Sequence, residues 1–162
     1  MVELRLDQIA ARVSGEIVQG SANLTFRKFN IDSRLSAPGE LFFAIVARRN
    51  GHRFIAEAAA RGALGAVISE PVPPLSKDFG LVRVNDTIAA LQELARVALS
   101  EQRVTVVGIT GSIGKTTTKE FAAALLSSKF QLLKSEGNFN NYLGLALSLL
   151  RLQKGQEIAL LE

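Results

Sequence analysis

Val104-Thr105-Val106-Val107-Gly108-Ile109-Thr110-Gly111-Ser112-Ile113-Gly114-Lys115-Thr116-Thr117-Thr118 joins a β-branched run to a glycine-rich turn and then to Gly-Lys-Thr at the head of a helical pattern. That order predicts a strand, a loop and a helix, with the strand buried and fixing the loop. Glycines let backbone N–H groups turn inward on an anion, and a helix N-terminus adds partial positive charge at the same place. Lys115 is placed to reach the β- and γ-phosphates of a nucleoside triphosphate. The Thr116 hydroxyl is placed to ligate the magnesium ion that bridges them. Thr110, Gly111, Ser112, Ile113, Gly114, Lys115, Thr116 and Thr117 are the candidate ATP-binding set, with Lys115 the candidate catalytic residue. The strict pattern G-x-x-x-x-G-K-[ST] requires glycine at 109, where this chain has Ile109; its glycines are Gly108, Gly111 and Gly114.

Downstream of the loop, Lys119 to Ser128 continues as a helix with Phe121, Ala124 and Leu125 expected inward. Phe130–Leu133 reads as a strand, Asn141–Leu152 as a helix with Leu145, Leu149 and Leu152 on one face, and Ile158–Leu161 as a strand of parallel-sheet type. Strand, helix, strand, helix, strand is the opening of a doubly wound sheet. No helix pattern follows the last strand, so the chain is expected to be the front of a longer protein. Its half-built sheet is expected to be less stable than the first unit or prone to association.

Upstream, Leu6, Ile9, Ala10 and Val13 fall at helical spacing, with Gly15 as the stop. Phe26 to Ile31 reads as a strand, Pro38-Gly39 as the centre of a type II turn, and Leu41–Val46 as a buried strand. Phe54, Ile55, Ala58 and Ala59 form a helical face that Gly62 ends, and Ala66–Ile68 and Leu81–Val84 are further strands. Asn85-Asp86-Thr87 offers an N-cap to a helix with Ile88, Leu91, Leu94, Ala95 and Ala98 inward. The expected fold class is therefore α/β. A small mixed α/β domain at 1–84 precedes, at 85–162, the first part of a P-loop, doubly wound parallel-sheet domain.

Composition narrows the function. The 162 residues are 48% hydrophobic, enough for a real core, and the absence of cysteine excludes disulfides, thiolate–metal sites and thiol catalysis. The formal charge is +4, with basic residues spread apart from Arg48, Arg49 and Arg53; Arg48 and Arg49 read as solvated charges. With no tryptophan and one tyrosine there is no stacking platform, so nucleic acid is not an expected partner. The N-terminus lacks a secretory pattern and no stretch approaches the roughly 20 apolar residues of a membrane span, which predicts a cytoplasmic chain.

Four stretches together resemble the Mur ligase family, the ATP-dependent amide-forming enzymes of peptidoglycan synthesis. The loop Gly108–Thr117 resembles that family's variant phosphate loop. Asp32-Ser33-Arg34 with Pro38–Ala44, and Asn50–Ile55 with Gly62-Ala63, resemble its uridine-diphosphate-binding domain. Gly137-Asn138-Phe139-Asn140-Asn141 with Gly144-Leu145 and Leu149-Leu150, together with Thr118-Lys119-Glu120, is similar to the branch that adds D-alanyl-D-alanine to UDP-N-acetylmuramoyl-tripeptide. Ala47 and Asn50 depart from the family, which usually has glycine and often aspartate there.

The resemblance implies roles. Thr116 and Glu162 would ligate Mg2+; from the sequence alone Glu162 is only a terminal carboxylate. Ser33, Arg34, Asn50 and His52 would contact the uridine diphosphate, although Ser33 and Arg34 fit equally well a turn held by side-chain hydrogen bonds. His52, the single histidine, is assigned to binding rather than proton transfer. Asn138, Asn140 and Asn141 suit a sugar-peptide, with a helix N-cap as the alternative for Asn140 or Asn141. The implied chemistry transfers the γ-phosphoryl group of ATP to the tripeptide carboxylate, and the dipeptide amine then displaces phosphate. The full-length enzyme would be a monomer, and residues 1–162 alone are expected not to turn over. The competing readings are the tripeptide-forming member of the family and a nucleotide-binding module without catalysis.

Overall fold

The computed structural model describes residues 3–73, 75–135 and 141–162. The chain divides into two compact units that meet in sequence between Leu94 and Ala95.

The first unit opens with β1 (Leu4–Arg5), α1 (Leu6–Arg12), β2 (Glu16–Gln19), β3 (Thr25–Phe26) and β4 (Lys28–Asn30), and a 3-10 turn at Ser33–Leu35 leads to β5 (Glu40–Phe43). A second 3-10 turn at Gly51–Phe54 runs into α2 (Ile55–Ala60), followed by β6 (Gly65–Ile68), β7 (Gly80–Arg83) and α3 (Thr87–Gln102), whose residues from Ala95 onward belong to the second unit. Five strands make one sheet in the order β2-β7-β6-β5-β4, with β4 to β7 parallel and β2 antiparallel at one edge. The continuous apolar runs Leu41–Phe43 and Ala66–Ile68 are buried on both faces, as parallel strands require. On one face Phe42, Ala66, Ile68 and Leu81 pack with Ile55 and Ala58 of α2. The Pro38-Gly39 turn forms as expected, with Gly39 at φ 83° and Glu40 N–H donating to Ala37 O at 3.3 Å.

Two details differ from expectation. Phe26 to Ile31 is two strands, because the chain changes partner at Arg27: Phe26 pairs with Leu4 of β1, whereas Lys28–Asn30 pair with β5. After α1, the left-handed residue is Ser14 (φ 52°), not Gly15. Gly15 instead answers a close approach, since a Cβ there would lie 2.7 Å from Val82 Cγ1 and 2.9 Å from Arg83 O. Asp86 caps α3, its Oδ1 accepting from Ile88 N–H at 2.7 Å and Ala89 N–H at 3.1 Å.

The second unit contains β8 (Thr105–Gly108), α4 (Lys115–Leu126), β9 (Leu132–Lys134), α5 (Tyr142–Leu149) and β10 (Ile158–Leu161). Its three strands are parallel in the order β8-β10-β9. The buried strand is the central one, β10, in which Ala159 and Leu160 are fully enclosed. β8 carries the loop at the sheet edge, and Val106 is 46% exposed, contrary to the buried strand expected there. The inward face of α4 also differs: Phe121 and Leu125 are 70% and 75% exposed, while Lys119 is buried. Phe121 and Leu125 lie off the face carrying Thr116 and Lys119, and that face is fixed by polar contacts described below. In α5, Leu149 joins Leu133, Leu152, Ala159 and Leu161 in the core, whereas Leu145 is half-exposed. Among the described residues no helix is long and apolar enough to cross a membrane.

Candidate active site

The loop after β8 is held at both ends. Ile109 N–H donates to Leu161 O at 2.8 Å, extending the β8–β10 ladder one step past the strand. At the other end Gly114 adopts the left-handed conformation (φ 79°) as the residue before α4, and Thr118 N–H closes the first helical turn onto Gly114 O at 2.8 Å. Lys115 Nζ donates across the loop to Gly111 O at 2.7 Å. The side chain expected to meet phosphates thus lies folded over the loop it serves.

The same ladder delivers Glu162 to the loop. Its N–H donates to Ser135 Oγ at 3.2 Å, and Ser135 N–H donates to Leu160 O at 3.0 Å, so the residue after β10 is fixed against the end of β9. Its carboxylate faces α4. Thr116 Oγ1 donates to it, 3.1 Å from Oε1 and 3.0 Å from Oε2, and Lys119 Nζ donates to Oε2 at 3.0 Å. The Lys119 and Glu162 side chains are 2% and 7% exposed. The Lys119 ammonium holds the Glu162 carboxyl below the usual carboxylate range, aided by Thr116 and the nearby charge of Lys115 and opposed by burial. A hydroxyl and an ionised carboxylate in contact are hard oxygen donors of the kind Mg2+ takes. That ion is commonly held by one or two protein oxygens plus substrate phosphates. No cluster of three or more acidic, histidine or cysteine ligands occurs among the described residues.

The model of the Mur ligase middle domain matches residues 109–162. The whole chain is 34% identical to the UDP-N-acetylmuramoyl-tripeptide--D-alanyl-D-alanine ligase of Bacillus subtilis and spans 36% of it. It is 37% identical to the corresponding Escherichia coli ligase and spans 35% of that. The crystal structure of MurF from Acinetobacter baumannii superposes on the whole chain with a TM-score of 0.87 at 30% identity, the chain covering 36% of it. MurF ligase from Thermotoga maritima in complex with ADP matches 84% of the chain and 31% of its own length, with a TM-score of 0.71 at 39% identity. The chain is thus similar to Mur ligases along its whole length, and residues 109–162 match their middle domain. It spans about a third of the length of the curated relatives it matches.

The candidate residues of the first unit line two cavities. Ser33 and Arg34 line a cavity of 340 Å³ with Phe42, Arg49 and Glu57. Ser33 Oγ donates to Glu57 Oε2 at 2.7 Å, and the Arg34 fork is closed on Asp32, with Nε to Oδ1 at 2.9 Å and Nη2 to Oδ2 at 2.6 Å. Asn50 and His52 line a different cavity, of 490 Å³, with Glu70. There His52 is a structural link. Its Nε2 accepts from Ser69 N–H at 2.9 Å and Glu70 N–H at 3.2 Å, leaving Nδ1–H to donate to Asn50 Oδ1 at 2.7 Å. Burial lowers the His52 pKa against the opposing charge of Glu70, which keeps the ring neutral. Asn141 caps α5, its Oδ1 accepting from Gly144 N–H at 2.8 Å. Asn138 and Asn140 lie outside the described residues.

Sequence reasoning gave no role to Lys119, while Arg49, read as a solvated charge, is exposed and lines the first cavity. Lys119 stands four residues after Lys115 and three after Thr116, so all three share one helix face, and that spacing was a usable signal. Arg49 sits in a polar loop beside Arg48, and nothing in the sequence separates the one that lines a cavity from its neighbour.

Proposed function

We propose that this chain carries the nucleotide-phosphate site and the nucleotide-sugar site of a cytoplasmic, monomeric ATP-dependent ligase. That ligase adds D-alanyl-D-alanine to UDP-N-acetylmuramoyl-tripeptide in peptidoglycan precursor synthesis. The named activity of the curated relatives and their identity along the whole chain support this reading. The single observation that carries it is the Thr116–Glu162 hydroxyl–carboxylate pair beside a glycine loop headed by Lys115.

ATP with Mg2+ supplies the phosphoryl group that converts the tripeptide carboxylate into an acyl phosphate open to attack by the dipeptide amine. The chain's own part is positioning and charge neutralisation. Lys115 leaves Gly111 O for the phosphates, and the backbone N–H groups of residues 110–114 and the first turn of α4 face them. Thr116 and Glu162 hold the cation. In the first unit Ser33, Arg34 and Arg49 serve the diphosphate of the nucleotide-sugar, where arginine's planar fork donates two hydrogen bonds at once. Arg34 must exchange Asp32 for that ligand.

Calorimetric titration tests both halves. Mg2+·ADP should bind the chain saturably and bind Lys115→Ala about 10- to 100-fold more weakly, the loss expected for one charge-assisted hydrogen bond. UDP-N-acetylmuramoyl-tripeptide should bind separately, be displaced by UDP, and weaken on Arg34→Ala. Binding of Mg2+·ADP without any binding of the nucleotide-sugar would reduce the chain to a phosphate-loop module and overturn the proposal.

A further inference from the structure

Lys119 is a lysine almost without solvent, and a buried ammonium is costly unless it does something for a partner. Among the described residues it pairs with Glu162, and the contact is asymmetric. Lys119 Nζ touches Oε2 alone, at 3.0 Å. Thr116 Oγ1 is nearly equidistant from the two oxygens, at 3.1 and 3.0 Å. The two oxygens therefore share the single Thr116 hydroxyl proton, and only Oε2 also receives the ammonium, so Oε1 keeps more of its lone-pair capacity for something else.

We infer that Lys119 is a positioning residue that makes Glu162 present a single oxygen, Oε1, to a divalent cation, and so selects Mg2+ over Ca2+. The inference rests on the proposed nucleotide site and adds the device by which that site discriminates between cations. The chemistry differs in the required way. Ca2+ takes about six to eight oxygens in a loose shell and readily uses both oxygens of one carboxylate. Mg2+ demands a compact octahedron and uses carboxylates one oxygen at a time. An ammonium fixed on Oε2 blocks the first mode and leaves the second open. It also keeps the carboxylate from rotating, because Ser135 and the β10 ladder already hold the Glu162 backbone.

The test uses Mn2+, which shares the octahedral oxygen preference of Mg2+, as a paramagnetic probe bound with ADP to the full chain, and reads its displacement by Mg2+ and by Ca2+. In Lys119→Met the preference for Mg2+ over Ca2+ should fall about ten-fold, the low end of what removing the partner of a metal ligand does. Lys119→Gln keeps a donor for Oε2 without the charge and should keep the preference of the unsubstituted chain. An unchanged ratio in Lys119→Met overturns the inference, as does an equal loss of affinity for both ions, which is what a merely structural lysine would give. Should Lys119→Met not fold, loss of preference in Lys119→Gln overturns it by itself. If the unsubstituted chain shows no ADP-dependent Mn2+ binding, the nucleotide reading fails and takes this inference with it. Binding with an unmoved ratio defeats the inference alone.

Discussion

Glu162 and His52 are both kept by their surroundings in the form that accepts hydrogen bonds, and both make stability depend on pH in the same sense. The Glu162 carboxyl is lowered in the folded chain, so its contribution is complete above the usual 4.5 and is lost as pH falls through the lower, folded value. Thermal unfolding followed from about pH 6 to pH 3 should show this loss, and Glu162→Gln should flatten that limb of the curve. His52 is also lowered, by burial, so the unfolded chain takes up a proton first as pH drops below 6.5, and the first unit loses stability from there down. Replacing His52 with alanine leaves the Ser69 and Glu70 N–H groups without their acceptor and should cost about 1–2 kcal/mol at neutral pH, measured by chemical denaturation. A ring that holds two backbone donors is not free to serve a ligand through the same nitrogen. A loop histidine in sequence shows only that it is polar, because the backbone donors to its Nε2 lie 17 and 18 residues away. For Lys119 the spacing from Lys115 and Thr116 marks the helix face but not the burial. Lysine on a helix reads as solvated, and only the arrival of Glu162, 43 residues later, makes a buried lysine worth having.

At the scale of elements, the glycines separate two physical demands that sequence alone does not tell apart. Gly51 opens the 3-10 turn between the two cavities, and a Cβ there would lie 2.7 Å from Ala44 C, Ile45 N and Ile45 O. Those are backbone atoms and cannot rotate away. Gly51→Ala should therefore shift the whole turn and cost about 1–3 kcal/mol, as overpacking does. Gly39, at φ 83°, has nothing within 4 Å of such a Cβ, so Gly39→Ala pays only left-handed strain of about 1–2 kcal/mol. Calorimetric melting of the two variants should thus separate in kind. Gly51→Ala should also perturb amide shifts across Ala44–Phe54, while Gly39→Ala leaves them in place. The parallel strands of the first unit were legible because Leu41–Phe43 and Ala66–Ile68 are continuous apolar runs. β2 was not, since Glu16–Gln19 at a sheet edge shows only partial burial and no strong pattern. The face of α4 was misread because Phe121 and Leu125 carry the hydrophobic signal. The orientation is set instead by the Thr116 and Lys119 contacts to Glu162, which no periodicity encodes.

At the scale of the molecule, the two units differ in how well they bury their sheets, and this predicts how ligands stabilise each. The first has a five-stranded sheet with apolar residues enclosed on both faces. The second has three strands, an edge strand with Val106 half-exposed, and Phe121 and Leu125 largely in solvent. Less apolar burial means a lower local unfolding free energy, so amide exchange should be faster in β8, β9 and α4 than in β5, β6 and β7. A ligand that binds one unit raises only that unit's opening free energy, by about 2.7 kcal/mol at a hundred times its dissociation constant. Mg2+·ADP should then slow exchange at residues 105–119 and 158–162 without changing residues 41–43 and 65–68. UDP should protect residues 31–57 and leave the phosphate loop as it was. Hydrogen exchange read by mass spectrometry separates the two responses, because the protected segments do not overlap in sequence. Protection by both ligands of the same peptides would mean that the nucleotide and the nucleotide-sugar share one site, and the division of labour between the units would have to be abandoned.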